Sequence, residues 1–230
     1  MNRCSWCLQS HDTQISFADL LYRSSSRSKL CRQCQSLLQP VDQEANKCMR
    51  CEKKSELTPC LDCLNWEKRY PDYPFKHRSL YYYNDFAKEY MESYKVMGDC
   101  EMSALFAHEL RACFKSRFKG SLIVPIPISL KSRQTRGFNQ VELMLESAGI
   151  PYSDLLENRG EGEKQSRKNK SERMNMRQPF VVKAEATSVL AEASIVVVDD
   201  LYTTGRTMFY AAEALKSHGT SRIESFSLFR

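Results

Sequence analysis

Apolar residues along the chain follow two periodicities, which together predict alternating strands and helices. Four consecutive β-branched residues, Ile195–Val198, are typical of a strand buried on both faces. The segment Thr207–His218 then has helical apolar spacing, and Arg222–Phe229 predicts a last strand. Leu122–Ile128 predicts another buried strand, which must end near Val124 because the prolines after it cannot donate to a central ladder. The pattern favours an open α/β sheet with its ligand at the carboxyl ends of the strands.

Two helices are predicted between Tyr81 and Phe118. The first should begin at Asn84 or Asp85 and end at Gly98. Its apolar face would carry Phe86, Tyr90, Met91 and Tyr94. The second should span roughly Met102–Phe118, with an apolar stripe of Leu105, Phe106, Leu110 and Phe114. Because these aromatic residues recur at helical spacing on one face, we interpret them as residues of the hydrophobic core.

The loop after Val198 has the residue types that bind a phosphorylated sugar. Asp199 and Asp200 end the strand, and carboxylates of this kind suit ribose hydroxyls or Mg²⁺. Gly205 permits a tight turn and a close approach of the backbone to a ligand. Hydroxyl side chains and the free N–H groups at the start of the next helix attract an anion. The alternative is an ordinary strand–turn–helix connection with an acidic turn.

Ten cysteines in a chain without a signal peptide favour metal binding over disulfides. Eight of them form four C-x-x-C pairs, enough for two structural Zn²⁺ sites with four thiolates each. Two arrangements of the pairs are open: sequential, or crossed as first with third and second with fourth. The predicted ligands are Cys4, Cys7, Cys31, Cys34, Cys48, Cys51, Cys60 and Cys63. The two remaining cysteines, Cys100 and Cys113, are predicted to lie in the core.

The N-terminal residues contain little continuous apolar sequence, so metal must replace a hydrophobic core there. Prolines near Trp66–Pro74 interrupt the pattern and indicate a domain boundary. We therefore expect a cysteine-rich zinc-binding module in residues 1–70 and an α/β domain in residues 75–230.

A basic stretch surrounds the proline-containing loop. Between Arg111 and Gln140 there are seven Lys or Arg residues and no acidic residue. Arginine side chains at this place suit pyrophosphate or the phosphates of a nucleic acid, although a solvated basic face is the alternative. The predicted DNA- or phosphate-binding residues here are Arg133, Arg136, Asn139 and Gln140. The polar segment Arg159–Arg177 predicts a surface loop that adds Lys164, Arg167 and Arg173.

Overall composition indicates the charge of the partners and argues against insertion into a membrane. The net charge of +6 and a pI near 8.7 favour anionic partners. No apolar run approaches the length of a transmembrane helix, and the first residues lack the apolar core of a signal peptide. We therefore expect a cytoplasmic protein without membrane insertion.

The segment Ile195–Thr207, IVVVDDLYTTGRT, resembles the phosphoribosyl pyrophosphate (PRPP) loop of type I phosphoribosyltransferases. The resemblance implies an α/β fold with a parallel sheet flanked by helices. It also implies that Asp199 and Asp200 are catalytic residues that hold ribose and Mg²⁺, while Thr203–Thr207 wraps the 5′-phosphate. Two positions depart from the family: Tyr202 replaces an aliphatic residue, and Thr203 replaces the acid of purine-salvage members. The residues expected to bind PRPP are Asp199, Asp200, Thr203, Thr204, Gly205, Arg206, Thr207, Pro125, Ile126, Pro127, Lys95 and Arg133.

The proline loop followed by R-x-x-R-G-F-N-Q is similar to the ComF family, competence-type proteins that join a zinc module to a phosphoribosyltransferase-like domain. Lys95 before Gly98 fits the family's lysine–glycine step, and Gln165 with Arg173 fits a Q…R spacing in the flexible loop. The resemblance implies a role in DNA uptake during natural transformation, contact with single-stranded DNA, and a ComFA-like helicase or ATPase as partner. The zinc module is expected to cover the pocket.

Two functions therefore stay open. The first is a DNA-uptake accessory protein that binds PRPP with Mg²⁺ and single-stranded DNA. The second is an active phosphoribosyltransferase that acts on a small acceptor.

Overall fold

The computed structural model describes residues 2–11, 28–71, 76–160, 178–190, 193–220 and 222–230. Its central feature is a four-stranded sheet, accompanied by two short antiparallel strand pairs. The strands are β1 (Asn2–Arg3), β2 (Ser10–His11), β3 (His77–Tyr81), β4 (Leu122–Pro125), β5 (Leu156–Asn158), β6 (Phe180–Val182), β7 (Ser194–Leu201) and β8 (Arg222–Phe229). The order in the central sheet is β3-β8-β7-β4, and each neighbouring pair is parallel. The predicted parallel α/β sheet is confirmed.

Helices flank this sheet. They are α1 (Arg32–Gln35), α2 (Leu61–Arg69), α3 (Asp85–Glu92), α4 (Ala107–Arg117), α5 (Leu130–Arg136), α6 (Gln140–Ser147), α7 (Thr187–Leu190) and α8 (Arg206–Lys216). Short 3₁₀ segments lie at Val41–Gln43, Cys100–Ala104 and Ala184–Ala186, and a π-helical turn spans Ser93–Met97. Among the described residues, none of the helices has the length and apolar character needed to cross a membrane.

The two predicted helices between Tyr81 and Phe118 are present with shifted boundaries. The side chain of Asn84 caps α3 by accepting from the Ala87 N–H, and Gly98 ends the following π turn in a left-handed conformation. The second helix is shorter than predicted, because a 3₁₀ segment precedes α4. Cys113 is buried as predicted, whereas the prediction for Cys100 is wrong: it lies exposed at the start of that 3₁₀ segment.

A proline at the end of β4 fits the sheet because β4 is an edge strand. Pro125 lies opposite Val198 of β7 and ends the strand one residue later than predicted. The chain remains attached beyond it, since the Ile126 N–H donates to the Val198 carbonyl over 2.8 Å. The proline loop therefore begins beside the first residue of the acid pair.

Successive side chains of β7 point to opposite faces of the sheet and contribute to two separate cores. Val196 and Val198 belong to one core, and Ile195 and Val197 to the other. Cysteines from the N-terminal residues join both cores: Cys4, Cys31 and Cys34 lie in the first, and Cys48, Cys51, Cys60 and Cys63 in the second.

The N-terminal residues thus extend across the β3 edge of the sheet. The Tyr82 N–H donates to the Gln39 carbonyl over 2.8 Å, and the His77 N–H donates to the Arg50 carbonyl over 2.7 Å. These bonds cover an edge strand that would otherwise expose unpaired backbone groups.

Candidate functional site

The acid pair lies at the carboxyl end of β7 and is paired with a lysine from the π turn. Asp200 is almost fully buried and Asp199 is half-buried. The Lys95 ammonium lies 2.8 Å from one carboxylate oxygen of Asp200 and 2.7 Å from the other. The Asp200 N–H donates to the Asp199 carboxylate over 2.9 Å. The structure therefore brings together three of the predicted site residues.

The buried setting of the acid pair changes the protonation of Asp199. Burial, and secondly the negative charge of Asp200, raises the pKa of Asp199 to about 7, although Lys95 acts in the opposite direction. A carboxyl group with this pKa gains and loses its proton near neutral pH. Such a pair favours a ligand that brings its own cation or hydroxyl donors.

Residues 202–205, here called the phosphate loop, connect β7 to α8 and contain the first part of the predicted phosphate-binding segment Thr203–Thr207. Gly205 has a φ of +83° and directly precedes the first turn of α8. Thr203 and Thr204 are exposed, whereas Tyr202 is buried beneath the loop. The Tyr202 ring lies between the His77 imidazole, 3.9 Å away by centroid, and the Arg230 guanidinium, 4.6 Å from the ring centre. These contacts explain why an aromatic residue can occupy this position.

Substitution of Gly205 should destabilise the loop more than its backbone conformation alone predicts. A Cβ at Gly205 would lie 2.2 Å from the Tyr202 hydroxyl, whereas a Cβ at Gly120 would meet nothing within 4 Å. Both glycines have φ near +80°. We expect Gly120→Ala to cost about 1 kcal/mol and Gly205→Ala about 3 kcal/mol or more. Denaturant unfolding of both variants measures the difference, and equal costs would contradict the packing around Tyr202.

The proline loop, residues 125–127, is held beside the acid pair by an amide. Asn139 is buried, and its side-chain N–H₂ donates to the Ile126 carbonyl over 3.0 Å and to Glu142 over 2.9 Å. Its side-chain oxygen accepts from the Val141 N–H and caps α6. Asn139 therefore supports the loop in this conformation. Gln140 is also almost fully buried, and direct contact of either side chain with phosphate stays a prediction.

The basic stretch is divided by β4 into two groups. Lys115 and Lys119 precede the strand and lie exposed at its amino end. Arg133 and Arg136 follow the proline loop on α5, at the carboxyl end where the acid pair lies. Arg133 is exposed, with a Glu142 carboxylate 3.5 Å away. The predicted loop residues Lys164, Arg167 and Arg173, with Gln165, lie outside the described residues.

The eight paired cysteines form two clusters in sequential order, which excludes the crossed alternative in this structure. One cluster contains Cys4, Cys7, Cys31 and Cys34, and the other contains Cys48, Cys51, Cys60 and Cys63. All sulfur atoms within a cluster lie within 4.8 Å of one another. Sulfur–sulfur distances of 3.6–3.8 Å occur in both, close to the ~3.8 Å edge of a tetrahedron with metal–sulfur bonds of about 2.3 Å.

Backbone N–H groups also surround these sulfurs. The Cys31 N–H lies 3.3 Å from the Cys4 sulfur, and the Cys60 N–H lies 3.3 Å from the Cys48 sulfur. Bonds of this kind stabilise thiolates, which are the form that binds metal. Both clusters could therefore hold a metal ion.

Sequence reasoning missed two residues that contact the phosphate loop. The Trp66 indole N–H donates to the Thr204 carbonyl over 2.7 Å. The Arg230 guanidinium lies 3.5 Å from the Tyr202 carbonyl and 3.4 Å from the Thr203 carbonyl. Neither residue belongs to a recognisable motif, and both contacts join segments more than 25 residues apart. Only the fold reveals them.

A surface cavity of about 370 Å³ lies away from the acid pair, between α2 and α8. Its lining includes Tyr70, Phe209 and Lys216. Its location does not coincide with any of the predicted binding residues.

The parallel sheet, the acid pair at the end of a strand and the glycine loop at the start of α8 define a phosphoribosyltransferase-type domain. A family model described as a phosphoribosyl transferase domain matches residues 144–230. Among solved structures, the allosteric regulatory enzyme of purine biosynthesis is similar over 59% of this chain and 29% of its own, with 15% identity and a TM-score of 0.36. The fold assignment rests on the sheet and the family model and not on this weak likeness.

Two curated relatives identify the family more closely. Competence protein ComFC of Streptococcus pneumoniae (strain ATCC BAA-255 / R6) is 36% identical over 228 residues, which cover 99% of this chain and 100% of that protein. Competence protein ComFC of Bacillus subtilis (strain 168) is 34% identical over 208 residues, or 88% of this chain and 84% of that protein. The chain belongs to the ComFC family of competence proteins.

Proposed function

We propose that this protein binds PRPP together with Mg²⁺ at the acid pair and phosphate loop, and handles single-stranded DNA during natural transformation. The observation that carries the proposal is the placement of Asp199 and Asp200 between the glycine loop and the proline loop, with Lys95 paired to Asp200. A ribose diol and a Mg²⁺ ion suit the carboxylates, and the loop at the start of α8 suits the 5′-phosphate.

Lys95 would change partner when the ligand binds. In the unliganded protein it neutralises Asp200, and a bound Mg²⁺ would supply that positive charge instead. The ammonium group would then be available to the pyrophosphate of PRPP. Arg133 lies on the helix that follows the proline loop and is exposed, so it supports the same role.

The Asp199 pKa predicts how PRPP binding depends on pH. Because the ionised carboxylate is the form that holds Mg²⁺ and ribose, affinity should rise as pH passes through the Asp199 pKa of about 7. We expect roughly a tenfold gain between pH 6 and pH 8, measured by calorimetry. Asp199→Asn should remove most of this dependence, whereas a wild-type affinity independent of pH would contradict it.

The contribution of Asp199 to protein stability should fall as pH rises, whereas the affinity for PRPP should increase. The folded state retains a proton on Asp199 that the unfolded chain, with its pKa near 4, releases. The contribution of this group to the free energy of unfolding is therefore largest below about pH 4 and is lost as pH rises towards 7.

The two thiol clusters are proposed to hold two structural Zn²⁺ ions. Four thiolates at tetrahedral spacing are the donor set that Zn²⁺ prefers. The ions would fix the N-terminal residues to both faces of the sheet, since each cluster belongs to a different core.

Contact with single-stranded DNA is supported by the cations at the carboxyl end of β4. We expect Arg133→Ala/Arg136→Ala to weaken binding of a labelled oligonucleotide and to reduce the slope of log affinity against log salt by about 0.7 for each phosphate that the protein no longer neutralises. Lys115→Ala/Lys119→Ala removes the same charge from the other end of β4 and is the matched control. Equal effects of the two double variants would indicate nonspecific attraction. A ComFA-like helicase or ATPase is the partner that this role implies.

The second candidate function is an active phosphoribosyltransferase, and the intact acid pair favours it. Thr203 replaces the acid used by purine-salvage members, so the acceptor would be another small nucleophile. Pyrophosphate release from PRPP in the presence of candidate acceptors tests this function. Release that Asp199→Asn/Asp200→Asn abolishes would establish it, while binding without release would favour the accessory role.

A further inference from the structure

Three consecutive carbonyl groups of the phosphate loop accept hydrogen bonds from residues connected to the second thiol cluster, Cys48, Cys51, Cys60 and Cys63. One nitrogen of Arg230 reaches the Tyr202 and Thr203 carbonyls. The Trp66 indole N–H reaches the Thr204 carbonyl over 2.7 Å. Hydrogen bonds thus hold the loop on the side that faces the second thiol cluster, which is called the cluster side below.

Both donors are fixed by the cluster itself. The other terminal nitrogen of Arg230 donates to the Cys51 sulfur over 3.1 Å. Trp66 lies on α2, which begins directly after Cys60 and carries Cys63. Its ring stacks on Phe209 of α8 with a centroid distance of 4.3 Å and an interplanar angle of 15°. A change at the sulfurs would therefore move the two donors.

The direction of these carbonyls sets the direction of the neighbouring N–H groups. In a trans peptide the C=O and N–H bonds point to opposite sides. Because the carbonyls of residues 202–204 point towards the cluster side, the N–H groups of Thr203, Thr204 and Gly205 point away from it. Within the part of the chain that the structure describes, none of these three N–H groups donates to another residue. Three aligned free N–H groups form an anion-binding concavity.

We infer that the second thiol cluster, acting through Arg230 and Trp66, positions the phosphate loop, so that metal occupancy of the cluster and phosphate binding are thermodynamically linked. This inference rests on the proposed binding of PRPP. Arg230 and Trp66 are positioning residues, because they hold the far side of the loop and need not touch the ligand. Linkage is reciprocal: metal in the cluster strengthens PRPP binding, and bound PRPP strengthens metal binding by the same free energy. Stronger metal binding is expected to appear as slower loss of zinc.

The test uses the zinc-loaded, full-length protein and two conservative variants. Trp66→Phe keeps a ring on Phe209 but removes the N–H donor, and Arg230→Lys keeps the charge but loses the fork that reaches sulfur and carbonyls together. Trp6→Phe is the matched control, since Trp6 is the other tryptophan of the chain and packs on Phe86 beside the first cluster. Zinc content and thermal unfolding show whether each variant is folded.

Two readouts are taken: PRPP affinity with Mg²⁺ by calorimetry, and the rate at which a chelator removes zinc with and without PRPP. We expect each variant to bind PRPP about 3- to 10-fold more weakly, as loss of one net hydrogen bond predicts, while Trp6→Phe binds as the wild type does. PRPP should slow zinc loss from the wild type and less so from the variants.

The outcomes separate this inference from the proposed function. Wild-type binding with unchanged affinity and unchanged zinc kinetics in Trp66→Phe and Arg230→Lys would overturn the inference alone. A wild type that does not bind PRPP would overturn both. Weaker binding in the two variants with no effect of PRPP on zinc loss would leave the loop contacts but overturn the link to the metal.

Discussion

Cys60→Ser/Cys63→Ser protein should contain one equivalent of zinc where the wild type contains two, and its residues 48–71 should lose their fold. The four sulfurs of this cluster are almost fully buried and belong to the same core as the phosphate loop. Apparent zinc binding in small domains is worth about 10–16 kcal/mol, which is comparable to the whole stability of a typical domain at about 5–15 kcal/mol.

Metal analysis and amide hydrogen exchange measure this result. Exchange should accelerate throughout residues 48–71, and at Tyr202, whose N–H donates to the Phe229 carbonyl beside the loop contacts of Trp66 and Arg230. Cys100→Ser is the control, because Cys100 is exposed and belongs to neither cluster. A wild type that binds no metal, or a double variant with unchanged exchange, would contradict the structural role of the cluster.

Lys95→Ala should lower the free energy of unfolding by about 3 kcal/mol, within the range for removal of one partner from a buried ion pair. The Asp200 side chain is 5% exposed and that of Lys95 is 26% exposed, so the carboxylate would lose its cation while shielded from water. The pKa of Asp199 should rise further, because Lys95 is the positive charge that now lowers it.

A double-mutant cycle with Asp200→Asn isolates the pair. Asparagine at position 200 leaves no charge for Lys95 to neutralise, so the double variant should be more stable than Lys95→Ala alone. Arg159→Ala is a suitable comparison, because the Arg159–Glu157 pair is exposed and its removal should change stability little. Equal losses for Lys95→Ala and Arg159→Ala would contradict the burial of the acid pair.

The regular elements around the site could be predicted because each has a strong local pattern. Each of them depends on residues close in sequence: the strand residues Ile195–Val198, the helix cap Asn84, Gly98 at the end of the π turn and Gly205 before α8. The sequential pairing of cysteine clusters was one of two alternatives from spacing, and only the fold decided between them.

The sequence does not predict which residues far apart in the chain contact each other. The pairing of Lys95 with Asp200 joins residues 105 positions apart, and that of Trp66 with Thr204 joins residues 138 apart. The apolar neighbours of Cys100 in the sequence predict a core position, but the turn after Gly98 directs Cys100 to solvent. Asn139 stays a predicted phosphate ligand, and the structure adds its bond to the proline loop, 13 residues away, which the sequence does not predict.

Calorimetric titration of PRPP with Mg²⁺ into wild-type protein and into Asp199→Asn/Asp200→Asn measures whether the acid pair binds PRPP. Asp154→Asn, which alters an exposed carboxylate paired with Lys183, controls for general charge effects. We expect one PRPP bound per chain in the wild type and in the control, and a loss of affinity of about 100-fold or more in the double variant. Absence of binding to the wild type, or equal binding by the double variant, would contradict a PRPP site at the acid pair.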